Sequence, residues 1–310
     1  LGDGTFVVDG DEPMRKSRPI SDLLDALGWL GVDARSRFDN GCLPVDVQAR
    51  GFKGGYTQLD ASKSSQFLTS LMLTGPHTRE GLDIKMLGEF KTQYIDITLA
   101  VMRAFGAEVE HDNYRRFRIA GGQRYLARNY AIEPDASNAS YFFAAAAVTG
   151  GRVRVDDITA DSAQGDIRFV DVLEEMGCTV NRDDKGIEVI GPERLKGIDV
   201  DMKEISDTSL TLAAIAPFAD GPVRIRNIEH SRRQETDRVA AMATELRRLG
   251  VEVEEHRDGI AVTPSTPKPG AVDTYEDHRV AMSFALVGLK VPGICINDPG
   301  CVSKTFPTYF

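Results

Sequence analysis

The chain has 310 residues, of which 42% are hydrophobic, and this length suits two domains of ordinary size. A net charge of −10 and a pI near 5.1 argue against a broad nucleic-acid or anionic-membrane surface, while local basic clusters remain free to bind small anions. The four cysteines are scattered, no histidine has metal-ligand spacing, and no apolar run is long enough to span a bilayer. The sequence therefore predicts a soluble, cytoplasmic protein with reduced thiols and no metal site.

A pattern of helix, glycine turn and strand recurs four times along the chain. The turn glycines, separated by 75, 71 and 73 residues, are Gly31, Gly106, Gly177 and Gly250. Each follows an apolar-periodic helix and precedes a β-branched stretch, so each is predicted to be a helix C-cap that leads into a strand.

A second motif repeats in the same phase and places an aspartate ahead of an apolar helix. These aspartates, 75, 72 and 70 residues apart, are Asp60, Asp135, Asp207 and, more loosely, Asp277. The helices are predicted over 66–73, 139–148, 210–218 and 280–289, and strands over 82–86, 152–155, 186–190, 223–228 and 259–263. The order of elements predicts an α/β protein, and pseudo-symmetry would bring several helix N-termini together into an anion-binding pocket.

The segment from Gln234 to Arg238 carries two carboxylates, a guanidinium and a capping hydroxyl ahead of a helix predicted over 239–249. A helix N-terminus offers unpaired N–H groups and about half a unit of positive charge, and an arginine adds a bidentate donor for an anion. In the alternative interpretation, Thr236 or Asp237 caps the helix, and Glu235 and Arg238 lie on the solvated surface. The segment alone favours capping, so an anion site needs support from the rest of the chain.

Seven short segments stand in order along the chain: Arg15-Lys16-Ser17-Arg18, Ser64-Ser65-Gln66, Tyr94-Ile95-Asp96, Asp166-Ile167-Arg168, Glu235-Thr236-Asp237-Arg238, Asp277-His278-Arg279 and Lys304-Thr305-Phe306-Pro307. Together they resemble the 5-enolpyruvylshikimate-3-phosphate synthase family. The resemblance implies a two-domain, inside-out α/β barrel built of repeated βαβαββ units. It also implies a monomer that acts on phosphoenolpyruvate and shikimate 3-phosphate and needs neither metal nor cofactor.

The resemblance further implies a role for each matching residue. Phosphoenolpyruvate would be bound by Arg18, Gln66, Arg238, Arg279 and Lys304. Shikimate 3-phosphate would be bound by Ser64, Ser65, Gln66, Tyr94, Asp207, His230 and Gln234. The enolpyruvyl group would pass to the 5-hydroxyl of shikimate 3-phosphate with release of phosphate, a step of aromatic amino acid biosynthesis. Asp207 is expected to act as the base and Glu235 as the acid, with His278 as a further candidate.

Structural explanations remain open for several of these residues. An N-cap role accounts equally well for Asp60, Asp135 and Asp207, so only the resemblance singles out Asp207. Capping also accounts for Ser64 and Ser65. For the whole chain, the alternatives are an enolpyruvyl transferase of the UDP-N-acetylglucosamine type and a truncated, non-catalytic remnant that binds anions.

The chain departs from the family pattern at several positions. Gln234 stands where lysine is common, His230 stands where asparagine is frequent, and the loop before Tyr94 is one residue shorter. The Lys-Ser-x-x-x-Arg and Asn-Ala-Gly-Thr motifs of an N-terminal segment do not occur in these 310 residues. We therefore expect a partial first domain over 1–132, with about two of three units, a second domain over 133–310, and weak or no activity for this chain by itself.

Overall fold

The computed structural model describes residues 2–16 and 18–310. Leu1 lies outside the described residues, and so does Ser17, which belongs to the Arg15–Arg18 segment. The chain divides into two compact units, Leu1–Ala131 and Ile132–Phe310, with a division one residue from the predicted boundary. All four cysteines are free thiols, as the sequence predicts. Among the described residues, no helix is long and apolar enough to cross a membrane.

The first unit contains two open sheets and four helices among the residues described. Its helices are α1 (Glu12–Lys16), α2 (Ser21–Trp29), α3 (Gln66–Thr74) and α4 (Gln93–Ala104). Its strands are β1 (Asp3–Val8), β2 (Asp33–Ser36), β3 (Val45–Arg50), β4 (Gly55–Asp60), β5 (Leu82–Leu87), β6 (Glu110–Asp112) and β7 (Arg116–Ile119). The strand orders are β1-β3-β2 and β4-β5-β7-β6, and α2, α3 and α4 supply buried side chains to the core of this unit.

The second unit contains three sheets that surround a group of buried helices. Its helices are α5 (Ala136–Thr149), α6 (Phe169–Glu175), α7 (Ser209–Ile215), α8 (Arg238–Arg248) and α9 (His278–Gly288). Its strands are β8 (Arg152–Asp156), β9 (Thr179–Arg182), β10 (Gly186–Ile190), β11 (Asp199–Asp201), β12 (Val223–Arg226), β13 (Val253–His256), β14 (Gly259–Val262), β15 (Gly270–Val272) and β16 (Ile294–Ile296). The strand orders are β8-β10-β9, β11-β12-β14-β13 and β15-β16.

The predicted repeat is present in the backbone. Gly31, Gly106, Gly177 and Gly250 have φ values of 76°, 82°, 98° and 81°, the left-handed conformation of a helix C-cap, which confirms the prediction. The two four-stranded sheets also share one topology, because β4 with β5 and β11 with β12 are parallel pairs while the remaining pairs in both sheets are antiparallel. Most predicted helices and strands match the observed bounds to within a few residues.

Three helices form the centre of the second unit and bring their N-termini together. Helices α5, α7 and α9 pack against one another, and all seven residues of α7 are buried, as expected for a helix enclosed on every side. The Ser140 and Thr211 hydroxyls are 3.0 Å apart and join α5 to α7 near their starts. The starts of α7 and α9 are linked as well, through Asp207 and Arg279, so several helix N-termini lie in one region of the unit.

Gly259 offers a stability test of the second unit. A Cβ at this position would lie 2.0 Å from the backbone oxygen of Ile225, too close for the paired strands β12 and β14 to accommodate without moving. We expect Gly259→Ala to lower the free energy of unfolding by about 2–3 kcal/mol, an overpacking cost. Gly288→Ala is the control. Gly288 is the last residue of α9, and a Cβ there would lie 3.7 Å from Ile294, an ordinary van der Waals contact. Equal thermal unfolding midpoints for the two variants would contradict the close approach of β12 and β14.

Candidate active site

The guanidinium of Arg238 lies at the centre of the candidate site. Arg238 is the first residue of α8, is only 2% exposed, and contacts carboxylates from three segments. Its Nε donates to Asp277 Oδ2 at 2.7 Å, its Nη2 to Glu235 Oε2 at 2.7 Å, and its Nη1 to Asp207 Oδ1 at 3.3 Å. Because a buried cation is costly unless it is paired and hydrogen-bonded, these contacts fix the relative positions of the three acids.

A second arginine, Arg279, lies in the first turn of α9 and shares one of these acids. Its Nη2 donates to Asp207 Oδ2 at 3.0 Å, so Asp207 is held between two guanidinium groups. The hydroxyl of Tyr141 and the carboxylate of Asp166 also interact electrostatically with Arg279. Burial opposes the charge of Arg279, but Asp207, Tyr141 and Asp166 together raise its pKa above the ordinary arginine value, so it remains a cation.

Glu235 is an ionised carboxylate held by two cations. Besides Arg238, it accepts a hydrogen bond at 2.5 Å from Lys304 Nζ. Burial by itself would raise its pKa, but Arg238 and Lys304 outweigh burial and lower the pKa of Glu235 to about 2. Any proton that Glu235 delivers must therefore be acquired after its contact with these cations has weakened.

The N-cap interpretation is correct for one repeat aspartate and wrong for another. Asp135 Oδ1 accepts from the backbone N–H of Asn138 at 2.9 Å and caps α5. Asp207 lies in a 3₁₀ turn, Lys203–Thr208, and the N-cap of α7 is Thr208, so the Asp207 carboxylate is directed to the arginines instead. The structure thus separates two residues that occupy equivalent positions in the sequence repeat.

Asp60 follows neither of these two patterns. It accepts from the backbone N–H of Ser62 at 2.9 Å in a local turn, five residues before the N-cap of α3 at Ser65. The N-cap prediction is therefore wrong for Asp60 as well. In Asp60 the repeated aspartate stabilises a loop rather than a helix start.

The segment before α8 bears out the predicted cap but not the predicted solvated surface, because Arg238 is buried and paired with Glu235. Asp237 caps the helix, since its Oδ1 accepts from the N–H of Ala240 at 3.0 Å. Gln234 contacts the charged groups directly: its Oε1 accepts from Arg238 Nη1, and its Nε2 donates to Asp207 Oδ1 at 3.3 Å. Capping and a polar site therefore coexist, because they use different residues of one helix start.

The two candidate histidines differ in their surroundings. His230 is half-buried, and its Nε2 lies 2.8 Å from the hydroxyl of Ser206, the residue before Asp207. His278 is 3% exposed, with Nδ1 3.7 Å from Asp277 Oδ1. Burial and the neighbouring Arg279 lower the pKa of His278 to about 4, so this imidazole is neutral at pH 7.

The candidate residues of the first unit lie at or just before helix starts. Ser64 and Ser65 precede α3, and the backbone N–H of Gln66, the first residue of that helix, donates to Ser64 Oγ at 3.3 Å. The Ser65 side chain makes no capping hydrogen bond although Ser65 holds the N-cap position. Tyr94 lies in the first turn of α4, and Arg18 lies three residues before α2. These placements fit anion binding by helix N-termini.

Sequence reasoning did not assign site roles to Asp277 and Tyr141. Asp277 caps α9 by accepting from the N–H of Arg279 at 2.9 Å and at the same time binds Arg238. Its position directly before a helix is consistent with an N-cap, and nothing local in the sequence indicates the second contact. Tyr141 lies in the middle of an apolar run, where a core position is the natural reading.

The ion pair between Lys304 and Glu235 has a testable effect on acid titration. We expect Lys304→Met to raise the pKa of Glu235 from about 2 towards its ordinary value near 4.5, because the variant lacks the hydrogen bond and charge of Lys304. Since the folded-state pKa is depressed, this stabilisation is present above about pH 4.5 and is lost as the pH falls towards 2. Carboxyl ¹³C NMR titration, with Glu235→Gln for assignment, measures the change. Lys290→Met is the control, and an unshifted Glu235 titration in Lys304→Met would contradict the ion pair.

Comparisons with known proteins cover the full chain. Residues 1–310 match the family model described as EPSP synthase (3-phosphoshikimate 1-carboxyvinyltransferase). Curated relatives named 3-phosphoshikimate 1-carboxyvinyltransferase from Trichormus variabilis and Nostoc punctiforme are each 50% identical over 311 residues, covering all of this chain and 73% of their own length. A relative of the same name from Aeromonas salmonicida is 49% identical over 314 residues, again with 73% of its own length covered.

Two solved structures have the same fold. EPSP synthase from Acinetobacter baumannii aligns with a TM-score of 0.84 and 25% identity, over 99% of this chain and 72% of that one. The enolpyruvyl transferase NikO from Streptomyces tendae aligns with a TM-score of 0.72 and 20% identity, over 97% of this chain and 70% of that one, which is a likeness of fold. The predicted enolpyruvyl transferase-like α/β fold is confirmed. The chain belongs to the EPSP synthase family.

Proposed function

We propose that this protein transfers the enolpyruvyl group of phosphoenolpyruvate to the 5-hydroxyl of shikimate 3-phosphate with release of phosphate, in aromatic amino acid biosynthesis. The observation that carries the proposal is the contact of Asp207 and Glu235 with a single buried guanidinium, that of Arg238. An addition followed by an elimination needs a base and an acid close to one anionic substrate, and this arrangement supplies both. The proposal includes a monomeric, cytoplasmic enzyme that uses no cofactor.

The cations of the second unit suit a substrate with a carboxylate and a phosphate. Arg238, Arg279 and Lys304 come from α8, α9 and the 3₁₀ turn Pro299–Lys304, and the N-termini of the two helices add partial positive charge. A planar guanidinium binds carboxylate or phosphate oxygens in pairs, while the lysine acts as a point charge. We assign these three residues to phosphoenolpyruvate.

The remaining binding roles follow the family assignment and belong to the proposal. In the first unit, Arg18 and Gln66 would contact phosphoenolpyruvate, and Ser64, Ser65, Gln66 and Tyr94 would contact shikimate 3-phosphate. In the second unit, His230 and Gln234 flank Asp207 and would bind hydroxyl groups of the same substrate. His278 is a neutral imidazole next to Arg279 and would serve as a hydrogen-bonding group rather than a cation.

The proposed proton transfers follow from the charges around the two acids. Asp207 accepts the proton of the 5-hydroxyl as that oxygen attacks C2 of phosphoenolpyruvate, and Glu235 donates a proton to C3. Binding of phosphoenolpyruvate to Lys304 and Arg238 brings negative charge close to Glu235 and competes for its partners, which raises the pKa of Glu235. Glu235 then takes a proton back from C3 as the C2–O bond to phosphate breaks, which restores the double bond, and the leaving phosphate carries away the proton that Asp207 accepted.

The function test compares equivalent aspartates of the repeat. We expect Asp207→Asn and Glu235→Gln to lower kcat by about 10²–10⁴, because each removes a proton-transfer group. Asp135→Asn is the matched control, since Asp135 caps α5 and asparagine is also a good N-cap. Phosphate release is measured with the polypeptide of the complete reading frame and both substrates.

Two results of that assay would contradict the proposal. One is no phosphate release with phosphoenolpyruvate and shikimate 3-phosphate together, which would favour a non-catalytic anion-binding protein. The other is release that depends on UDP-N-acetylglucosamine in place of shikimate 3-phosphate, which would favour the related enolpyruvyl transferase. Full activity in Asp207→Asn would instead remove Asp207 from the proposed base role.

Gln234→Lys tests the departure of this chain from the family pattern. A lysine here adds a cation for shikimate 3-phosphate but also pairs with Asp207, which Gln234 contacts at 3.3 Å. We therefore expect KM for shikimate 3-phosphate to fall by about tenfold, the gain of one charge-assisted contact, while kcat falls because Asp207 is a weaker base in an ion pair. Gln234→Met is the uncharged control. Unchanged affinity in Gln234→Lys would show that another group already compensates for the absent charge.

A further inference from the structure

We propose that Glu245 positions Arg279, and Asp277 with its partner Arg238, for substrate binding by holding the turn before α9 in an unfavourable backbone conformation. Glu245 lies on α8, two turns beyond Arg238, and its carboxylate contacts Asp273, Tyr275 and Arg248 rather than a group assigned above to the substrates. The inference rests on the proposed function, because it names a positioning residue for that same site.

The turn that leads into α9 is strained. Tyr275 and Glu276 have φ values of 55° and 58°, and the N–H of Asp277 donates to the Thr274 carbonyl at 2.9 Å to close the turn. Two consecutive positive φ values are favoured by glycine and asparagine and are unfavourable for a tyrosine and a glutamate. Such a conformation persists only where surrounding contacts hold it in place. The next residues along the chain are those that bind Arg238 and Asp207.

The contacts that hold the turn converge on the Glu245 carboxylate. Glu245 is 0% exposed; its Oε1 accepts from the Tyr275 hydroxyl at 2.6 Å, and its Oε2 accepts from the backbone N–H of Asp273 at 3.1 Å. Arg248 lies 3.0 Å from the same Oε2 and supplies the compensating charge. A buried carboxylate with these donors is a fixed point, since leaving it without hydrogen-bond partners would be costly. Both ends of the strained stretch are therefore attached to α8.

The spacing on α8 explains why two attachments matter. Arg238 and Glu245 are seven residues apart, so they project from the same face of the helix about 10 Å apart along its axis. Arg238 binds Asp277, and Glu245 binds Tyr275, which lies two residues earlier. A turn held at one point can rotate about that point, whereas a turn held at two points has a defined orientation. Without Glu245, Asp277 and the α9 start that carries Arg279 lose this second constraint.

The same turn also contacts the segment that carries Lys304. Asn297 Nδ2 donates to Asp273 Oδ1 at 2.6 Å. Asn297 lies two residues before the 3₁₀ turn Pro299–Lys304. Through this turn, Glu245 also influences the position of Lys304 relative to the other cations that would bind phosphoenolpyruvate.

The test removes one hydroxyl or one charge and reads the turn directly. We expect Tyr275→Phe and Glu245→Gln to increase hydrogen exchange of the amides from residue 274 to residue 279, measured without substrate, by at least about tenfold, because the fixing hydrogen bond is lost or weakened. In the transfer assay, KM for phosphoenolpyruvate should rise by about tenfold, with a smaller change in kcat. Tyr309→Phe is the matched control, since its hydroxyl donates to the Met282 carbonyl elsewhere on α9.

A rescue variant separates positioning from general stability. Glycine at position 276 adopts a positive φ without strain, so Glu276→Gly in the Tyr275→Phe background should restore KM for phosphoenolpyruvate towards the starting value. The proposal would be overturned if Tyr275→Phe and Glu245→Gln showed the same amide hydrogen exchange and the same KM for phosphoenolpyruvate as Tyr309→Phe. A failure of Glu276→Gly to restore KM in the Tyr275→Phe background would also overturn it. If the unmodified protein shows no transfer, the proposed function fails. In that case the exchange of the turn amides still decides whether Glu245 holds the turn.

Discussion

Burial of the Arg238 guanidinium is the constraint on which the second unit depends. A cation that is 2% exposed needs carboxylates at fixed positions, and these come from the turn before α7, the loop before α8 and the N-cap of α9. Removing one partner of a buried ion pair typically costs about 3–5 kcal/mol, a large part of the stability of an ordinary domain. The fold therefore cannot be kept while the three helix starts move apart. Site geometry and stability are set by the same contacts.

This arrangement also links anion binding to proton transfer. The cations Arg238, Arg279 and Lys304 are each bound to Asp207, Glu235 or Asp277, so the carboxylates occupy positions on the cations that substrate oxygens would compete for. Any anion that binds these cations adds negative charge next to the same carboxylates and favours their protonated forms. Burial favours a higher pKa for Glu235, but Arg238 and Lys304 hold it at about 2, so an anion that competes for these two cations would raise the pKa of Glu235. The same cations would therefore bind the anion and control the charge of Glu235.

The sequence predicted what depends on local structure and missed what depends on tertiary contacts. A glycine after an apolar helix and before a strand needs a left-handed backbone wherever the helix lies, so Gly31, Gly106, Gly177 and Gly250 were predictable. A helix start with an aspartate is also a local signal. Whether that aspartate caps its helix or binds an arginine about 70 residues away along the chain, as Asp207 does with Arg279, depends on packing that no local pattern encodes. Asp207 was therefore identified only by the family resemblance, and that resemblance gave no role to Asp277.

The four repeat aspartates show how one motif acquires different roles. Asp60 stabilises a local turn, Asp135 caps a helix, Asp207 binds two arginines, and Asp277 caps a helix and binds an arginine as well. The aspartates that became part of the site are those near a helix whose first turn contains an arginine, α8 or α9. The first turn of α5 is Ala-Ser-Asn-Ala, without a cation, and its aspartate remained a cap. A buried guanidinium within reach therefore accounts for the ion pairs of Asp207 and Asp277, because a buried cation is costly without carboxylate partners, and it does not exclude capping, since Asp277 also accepts from the N–H of Arg279.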